Sequence, residues 1–392
     1  MVAISELASD FCDYVTDGTH DSPKVKEQGK YLITSKHLRR YELDYSSANK
    51  ISEQDYQKIM QRSSVAQWDI LISMIGTIGN IYLETSKTVD YACKNVGIFK
   101  MGGNEKKAKW LYYYLQSPKA KEYIIAASRG TTQGYIPLNA LRKLPIDVCD
   151  KKTRDEIVDI LWSLDMKIKQ NIDINDNLYE MVNACFVSLF RNAENEMTTI
   201  GAYSERIYSG GTPSTSDSAY WDGAFSWLSS GETRNRFVTS TEKTITQPGI
   251  DNSSTKLAKK YDIVMASAGQ GFTRGQVSML LLDTYVNQSV IVIHTEKKML
   301  PYLFWNLANR YEELRAISDS SSIRGSITTK MISALEISKA DDKSLQFFSD
   351  FAWSVIPQIE NNLLENRRLI SLRDALLPKL MSGKIDVTDM PF

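Results

Sequence analysis

The chain has 392 residues, 42% hydrophobic and 24% charged, and its 47 Lys plus Arg balance its 47 Asp plus Glu. That length supports two or three domains, and zero net charge excludes a global basic field, so a polyanionic partner would have to meet a local basic face. No run approaches 18 apolar residues, MVAISELASDF is no leader, and three histidines and four scattered cysteines (Cys12, Cys93, Cys149, Cys185) offer no Cys/His metal set, so no membrane span, signal peptide or metal is expected, and a reducing cytoplasm is.

Residues 1–150 read as a mixed α/β head. Tyr31 to Thr34 (YLIT) and Asp69 to Gly76 (DILISMIG) are short apolar runs bounded by turn residues, the pattern of strands. Lys106 to Ala127 reads as one helix, with Leu111, Tyr114, Leu115, Ile124 and Ile125 as apolar positions. The Gly/Thr/Gln loop SRGTTQGYIP follows, then LRKLPIDV as a strand.

Residues 151–193 carry a long helix. Ile157, Leu161, Leu164 and Ile168, then Leu178, Val182, Cys185 and Leu189, alternate at spacings of four and three, the seam of a helix packed lengthwise on another. Asn171 and Asn175 interrupt it.

Residues 194–341 repeat the head. FSWLSSGE answers KYLITSKH, YDIVMASAGQG answers WDILISMIGTIG at an offset of 193, and SSSIRGSIT answers SRGTTQGYIP, with Gly325 and Ile327 matching Gly134 and Ile136 at 191. Tyr302 to Ala316 reads as the second head's helix. Residues 342–392 repeat the seam at the same offset: Phe348, Ala352, Val355, Ile359, then Asn362 and Asn366, then Leu369, Arg373, Leu376 and Leu380. Arg373 stands where Val182 stands in the first copy, and Pro378 where Val187 stands, so the last turns are expected to differ.

The expected fold is therefore α+β: two similar mixed α/β domains separated by two long antiparallel coiled-coil helices, an internal repeat that imitates a symmetric dimer. A continuous helix from Ile157 to Leu189 would span roughly 50 Å at about 1.5 Å per residue. Two related but non-identical heads on a fixed spacer suit two different DNA half-sites with an unread gap. A buried Asn facing another Asn costs stability but fixes register, so Asn171 and Asn175 against Asn362 and Asn366 would set the spacer.

The order head, helix, head, helix, the pair WDILISMIGTIG and YDIVMASAGQG, the G-x-x-x-G-x-I loop and the C-terminal LRDALLPKLMSGKI together resemble the specificity (S) subunit of type I restriction–modification systems, over essentially the whole chain. The resemblance implies a non-catalytic, sequence-specific DNA-binding subunit. Each head would be a target-recognition domain for one half of a bipartite site, and the helices a ruler that docks two methyltransferase (M) subunits. It places no cofactor on this chain: S-adenosylmethionine belongs to the M subunits, which methylate adenine N6, and ATP and Mg belong to the restriction (R) subunits. The competing reading is a pseudo-dimeric DNA-binding regulator or scaffold, disfavoured by the lack of a helix-turn-helix signature and of a strong basic face. An enzyme is disfavoured too, since the chain has no G-x-x-x-x-G-K-[ST], G-x-S-x-G or H-E-x-x-H.

Candidate DNA contacts fall in three loops of each head. In the first head they are Lys36, His37 and Arg39; Thr77, with Asn80 beside it; and Arg129, Thr131, Thr132, Gln133 and Tyr135. In the second they are Ser230, Glu232 and Arg234; Gln270, Thr273 and Arg274; and Arg324 and Ser326, with Thr328 close by. Arg can pair with guanine, Gln with adenine and Glu with cytosine N4, while hydroxyls reach bases or phosphates. For each position an ordinary solvated loop is the alternative. Lys24, Lys26 and Lys30 are possible phosphate partners, His20 and His294 read as structural, and Asp155, Asp159, Lys167 and Lys169 lie on the outer helix face where partner subunits could dock.

Overall fold

The computed structural model describes residues 4–130, 134–191, 196–269, 273–320, 325–385 and 387. The chain divides into two compact units, Met1–Lys169 with Arg368–Phe392, and Gln170–Arg367. Each unit is a mixed α/β head together with part of each long helix. Those helices run Lys151–Phe190 and Asp342–Met381, 40 residues each, and both bounds repeat at the 191-residue offset. Pro378 does not shorten the second helix, which continues to Met381.

In the first unit a four-stranded sheet has the order Tyr14–Asp17, Val96–Lys100, Ile70–Ser73, Ile81–Leu83. Ile70, Leu71 and Ile72 are all buried because both faces of this strand are covered. A three-stranded sheet, Asn49–Ile51, Lys30–Ile33, Tyr91–Cys93, packs Leu32, Ile51 and Ala92 against Tyr56 and Ile59 of the helix Glu53–Ser63. Trp110, Tyr113 and Leu115 join the main core, as do Ile157 and Leu161 of the first long helix and Leu377 and Leu380 of the second. The seam residues are thus also the head's anchor.

The second unit repeats the plan with changes. Its main sheet has the order Arg206–Ser209, Val290–His294, Ile263–Ala266, Val277–Leu280, Phe237–Val238, and its second sheet the order Lys243–Ile245, Trp221–Leu228, Thr284–Val286, Lys256–Ala258. The helix that follows Lys243–Ile245 is only Gln247–Asp251. Val182, Phe186, Phe348, Val355 and Ile356 of the long helices enter this unit's core beside Trp305 and Phe304.

Two expected helices are each broken. Lys106 to Ala127 is Glu105–Tyr114 and Pro118–Ala127, because Ser117 caps the second piece through Ala120 N–H and Pro118 occupies its first turn. Tyr302 to Ala316 is Leu300–Ala308 and Tyr311–Ser320. LRKLPIDV opens on the last two residues of a short helix, Leu138–Arg142, and only Pro145–Val148 is strand.

The repeat extends to unusual local chemistry. Trp68 and Tyr261, matched at offset 193, both lie in the left-handed region, at φ 72° and 75°. Each packs against a Trp of a long helix: Trp68 on Trp162 with centroids 6.4 Å apart, Tyr261 on Trp353 at 4.9 Å. The adjacent residues are buried carboxylates. Asp69 pairs with Lys100, and Asp262 with His294 Nδ1 at 2.5 Å. His294 is thus the second head's counterpart of a buried lysine, a structural role.

Candidate nucleic-acid interface and helix seam

The structure brings the three predicted loops of the first head together. Ser35 Oγ lies 3.4 Å from the Ile75 amide, and the Gly76 amide donates to Gly134 O at 3.2 Å. Arg129 and Tyr135 exchange two backbone hydrogen bonds of 2.8 Å, closing the base of the Gly130–Gly134 loop. Lys36, Arg39, Thr77, Arg129 and Tyr135 are all exposed there. Thr131, Thr132 and Gln133 lie outside the described residues. Cations, a hydroxyl and an aromatic on one loop cluster can meet phosphates and base edges.

The second head follows the same logic. Ile327 N–H donates to Ser267 O, as Ile136 N–H donates to Met74 O, both at 2.9 Å. Arg234 is exposed and paired with Glu242 at 2.9 Å, while Ser230, Thr273 and Ser326 are half-buried. Gln270 and Arg324 lie outside the described residues. At Gly325, φ is 62°, a backbone shape that favours glycine, and an added Cβ would displace the Arg274 guanidinium.

Three candidates face inward. His37 is 1% exposed and Glu232 5%. Each is the third residue of a 3-10 turn and reaches back to its own cap: His37 Nδ1 accepts from Thr34 N–H at 2.9 Å, and Glu232 Oε2 accepts from Ser229 N–H at 2.8 Å. Glu232 Oε1 accepts from Glu242 N–H as well. These are matched capping boxes with His substituting for Glu, so neither side chain is presented at the surface. Burial holds the His37 imidazole below its ordinary pKa. Arg274 is likewise engaged internally, donating to Gly325 O at 2.7 Å and to Asp319 at 2.7 Å.

Of the other flagged residues, Lys24 and Lys26 are exposed, Lys30 pairs with Asp90, and His20 meets Asn95 at 2.8 Å. On the helices, Asp159 pairs with Lys106 and Asp155 with Arg154, and Lys167 and Lys169 also have partners.

The four asparagines are paired across the helices in the second unit. Asn171 Nδ2 donates to Asn366 Oδ1 at 2.9 Å and to Glu365 at 2.6 Å. Asn362 Nδ2 donates to Asn175 Oδ1 at 2.8 Å, and Asn175 Nδ2 caps Ile359 O at 3.2 Å. Facing numbers fall on one helix as they rise on the other, so the pairing is antiparallel.

The first unit holds a buried network that periodicity does not reveal. Asp165 and Arg373, each with a side chain 4% exposed, pair at 2.7 Å. Asp165 also accepts from Tyr41 Oη at 2.9 Å and Tyr113 Oη at 2.8 Å, with Arg40 at 3.5 Å. Burial, then the Asp165 charge, pushes the Tyr41 phenol up to about 12. The one sequence signal was Arg373 in an apolar seam. Among the described residues no cluster of three or more His, Cys, Asp or Glu could hold a metal ion.

Residues 9–178 match the family described as "Type I restriction modification DNA specificity domain". Over those residues the chain is similar to the type I restriction–modification specificity family. It is 22% identical to the type I restriction enzyme HindI specificity subunit of Haemophilus influenzae, over 83% of this chain and 88% of that one. It is 25% identical to the EcoR124I/EcoR124II specificity subunit of Escherichia coli, over 60% and 59% respectively. Its fold matches a crystal structure of a type I S subunit from M. genitalium with a TM-score of 0.60 and 14% identity, covering 97% of this chain and 96% of that one. No helix among the described residues is long and apolar enough to cross a membrane.

Proposed function

We propose that this chain is the non-catalytic DNA-reading subunit of a type I restriction–modification complex, each head reading one half of an asymmetric, bipartite duplex site. The reading rests above all on one observation: the loop cluster is built twice on matched backbones but carries different side chains. Lys36 and Tyr135 in the first head stand where Gly231 and Ser326 stand in the second, while Arg39 and Arg234 are alike. Matched scaffolds with divergent tips suit two unlike half-sites rather than a palindrome.

The long helices act as the spacer, and the Asn171–Asn366 and Asn175–Asn362 pairs hold its register. Their outer faces dock two methyltransferase subunits, which carry S-adenosylmethionine and methylate adenine. Restriction subunits supply ATP- and Mg-dependent chemistry, and the complex works in the cytoplasm. This chain contributes recognition: Arg39, Arg129 and Arg234 neutralise phosphates or pair with guanine edges, and Tyr135 offers a stacking or van der Waals face.

The test is co-expression with an N6-adenine methyltransferase, whose reading frame is expected beside this one, followed by co-purification and mapping of methylated adenines. The expected result is a stable complex and a single gapped, asymmetric motif. Methylation that proceeds without this chain, or a continuous palindromic motif, overturns the proposal.

A further inference from the structure

The turn Arg39–Glu42 carries one of the first head's exposed cations at its start, and it is closed by Arg39 N–H donating to Glu42 O at 3.1 Å. Leu38 and Leu43 flank it, bridge to each other and are buried. Its two central side chains, Arg40 and Tyr41, enter the network on the long helices. Tyr41 Oη donates to Asp165 and accepts from Arg373 Nη1 at 2.7 Å, Arg40 Nη2 approaches Asp165, and Tyr112 Oη donates to the Arg40 carbonyl at 3.3 Å. The turn is thus held from below by its leucines and from the side by two helix residues far away in sequence.

Among the described residues the second unit has no such network at the matched positions. Adding 191 to Asp165 gives Ile356, and subtracting 191 from Arg373 gives Val182; both are fully buried. The matching segment is tied instead by Arg236, which reaches Asp176 at 3.2 Å and lies 4.2 Å over the Tyr179 ring with its side chain 49% exposed, by Phe237 edge-on to Tyr179 at 6.3 Å, and by the Thr239 carbonyl, which accepts from Arg367 at 2.7 Å. The Arg236 ion pair is half-exposed and screened, whereas the first head's turn is tied through a buried charged network, so the two segments are held by different chemistry.

We propose that Asp165 and Arg373 are positioning residues for DNA recognition: through Tyr41 and Arg40 they fix the pose of the Lys36–Arg39 segment, so discrimination in the first head's half-site depends on this pair and that in the second does not. The proposal rests on the reading of these loops as DNA contacts. Neither residue needs to touch DNA. A planar guanidinium that donates at once to a carboxylate and a phenol holds the phenol in one place, which a lysine ammonium does less well.

The experiment uses the full chain in its methyltransferase complex. Crosslinking mass spectrometry on the wild type assigns each half-site to a head. Two variants follow: Tyr41→Phe, which removes one oxygen and leaves the ion pair, and Asp165→Ile/Arg373→Val, which installs the apolar pair already present in the second unit. Both are expected to relax base discrimination in the first half-site by about ten-fold, the scale of one good base contact, and to leave the second half-site unchanged. Amide exchange at Arg39 and Asp44 should quicken in both, while exchange at Glu232 and Asn235 stays as in the wild type. Unchanged discrimination in the first half-site, or equal relaxation of both, overturns the proposal. If the wild-type complex selects no sequence, the functional reading fails instead, and the exchange data alone decide whether the helices position the turn.

Discussion

Arg373 donates to Asp165 at 2.7 Å inside the helix seam, where the matched pair of the other unit is Val182 and Ile356. One backbone arrangement therefore accepts two chemistries. Removing one member of a buried ion pair leaves an uncompensated charge and costs about 3–5 kcal/mol, whereas replacing both with apolar groups is often neutral or better. Arg373→Ala and Asp165→Ala are expected to fall in that range by urea denaturation, and Asp165→Ile/Arg373→Val to recover most of the loss. A double variant no more stable than either single one would contradict the equivalence of the two seams.

The asparagine ladder gives a second expectation. Asn171→Ala leaves Asn366 facing an apolar methyl, and losing a partner from a buried polar group costs about 1–3 kcal/mol. In a double-mutant cycle, Asn171→Ala and Asn366→Ala should couple by on the order of 1 kcal/mol. Additive losses would mean that the pair does not act as a unit.

Trp68 and Tyr261 invert a usual rule. In most positions Gly is less stable than Ala by about 0.5–1 kcal/mol. At φ 72° and 75° an Ala Cβ is strained and Gly is not, so Trp68→Gly should melt above Trp68→Ala, and Tyr261→Gly above Tyr261→Ala. Both should melt below the wild type, since each loses its contact with Trp162 or Trp353.

His37 gives the first head a pH response. Its pKa is lowered in the folded state, so the folded state binds fewer protons than the unfolded one. The stability it contributes is present above the unfolded value of about 6.5 and is lost as pH falls through that value toward the folded pKa. His37→Gln keeps an acceptor for the Thr34 amide but does not titrate. Between pH 7 and 5.5 the wild type should lose more stability than His37→Gln; parallel losses would place the titration elsewhere.

Much of this architecture was legible. Seam spacing located both long helices and their asparagines, because a helix packed along another must repeat its apolar residues at three and four. The head repeat was legible from strand–turn patterns. Asp165 was not, since a lone charged residue reads as surface and its partner lies 208 positions away. Ser-Gly-Glu after Ser229 is a readable capping box; Ser-Lys-His after Thr34 is not, because His rarely takes the Glu position, and both residues were taken for surface contacts. The break before Pro118 was marked by Ser-Pro but hidden by apolar residues that continue through it. What loop residues touch depends on side-chain direction, which spacing does not give.

The spacer is the most direct handle on the whole account. Four residues inserted after Asn175, with four matching residues inserted before Asn362, lengthen both helices by roughly 6 Å and keep the asparagine pairs facing. That is on the order of two base pairs at about 3.4 Å per step. Adenine methylation mapped in the complex carrying this variant should show the gap in the recognised site lengthened by about that amount, with both half-sites unchanged. An unaltered gap, or altered half-sites, would contradict a two-headed reader on a helical ruler.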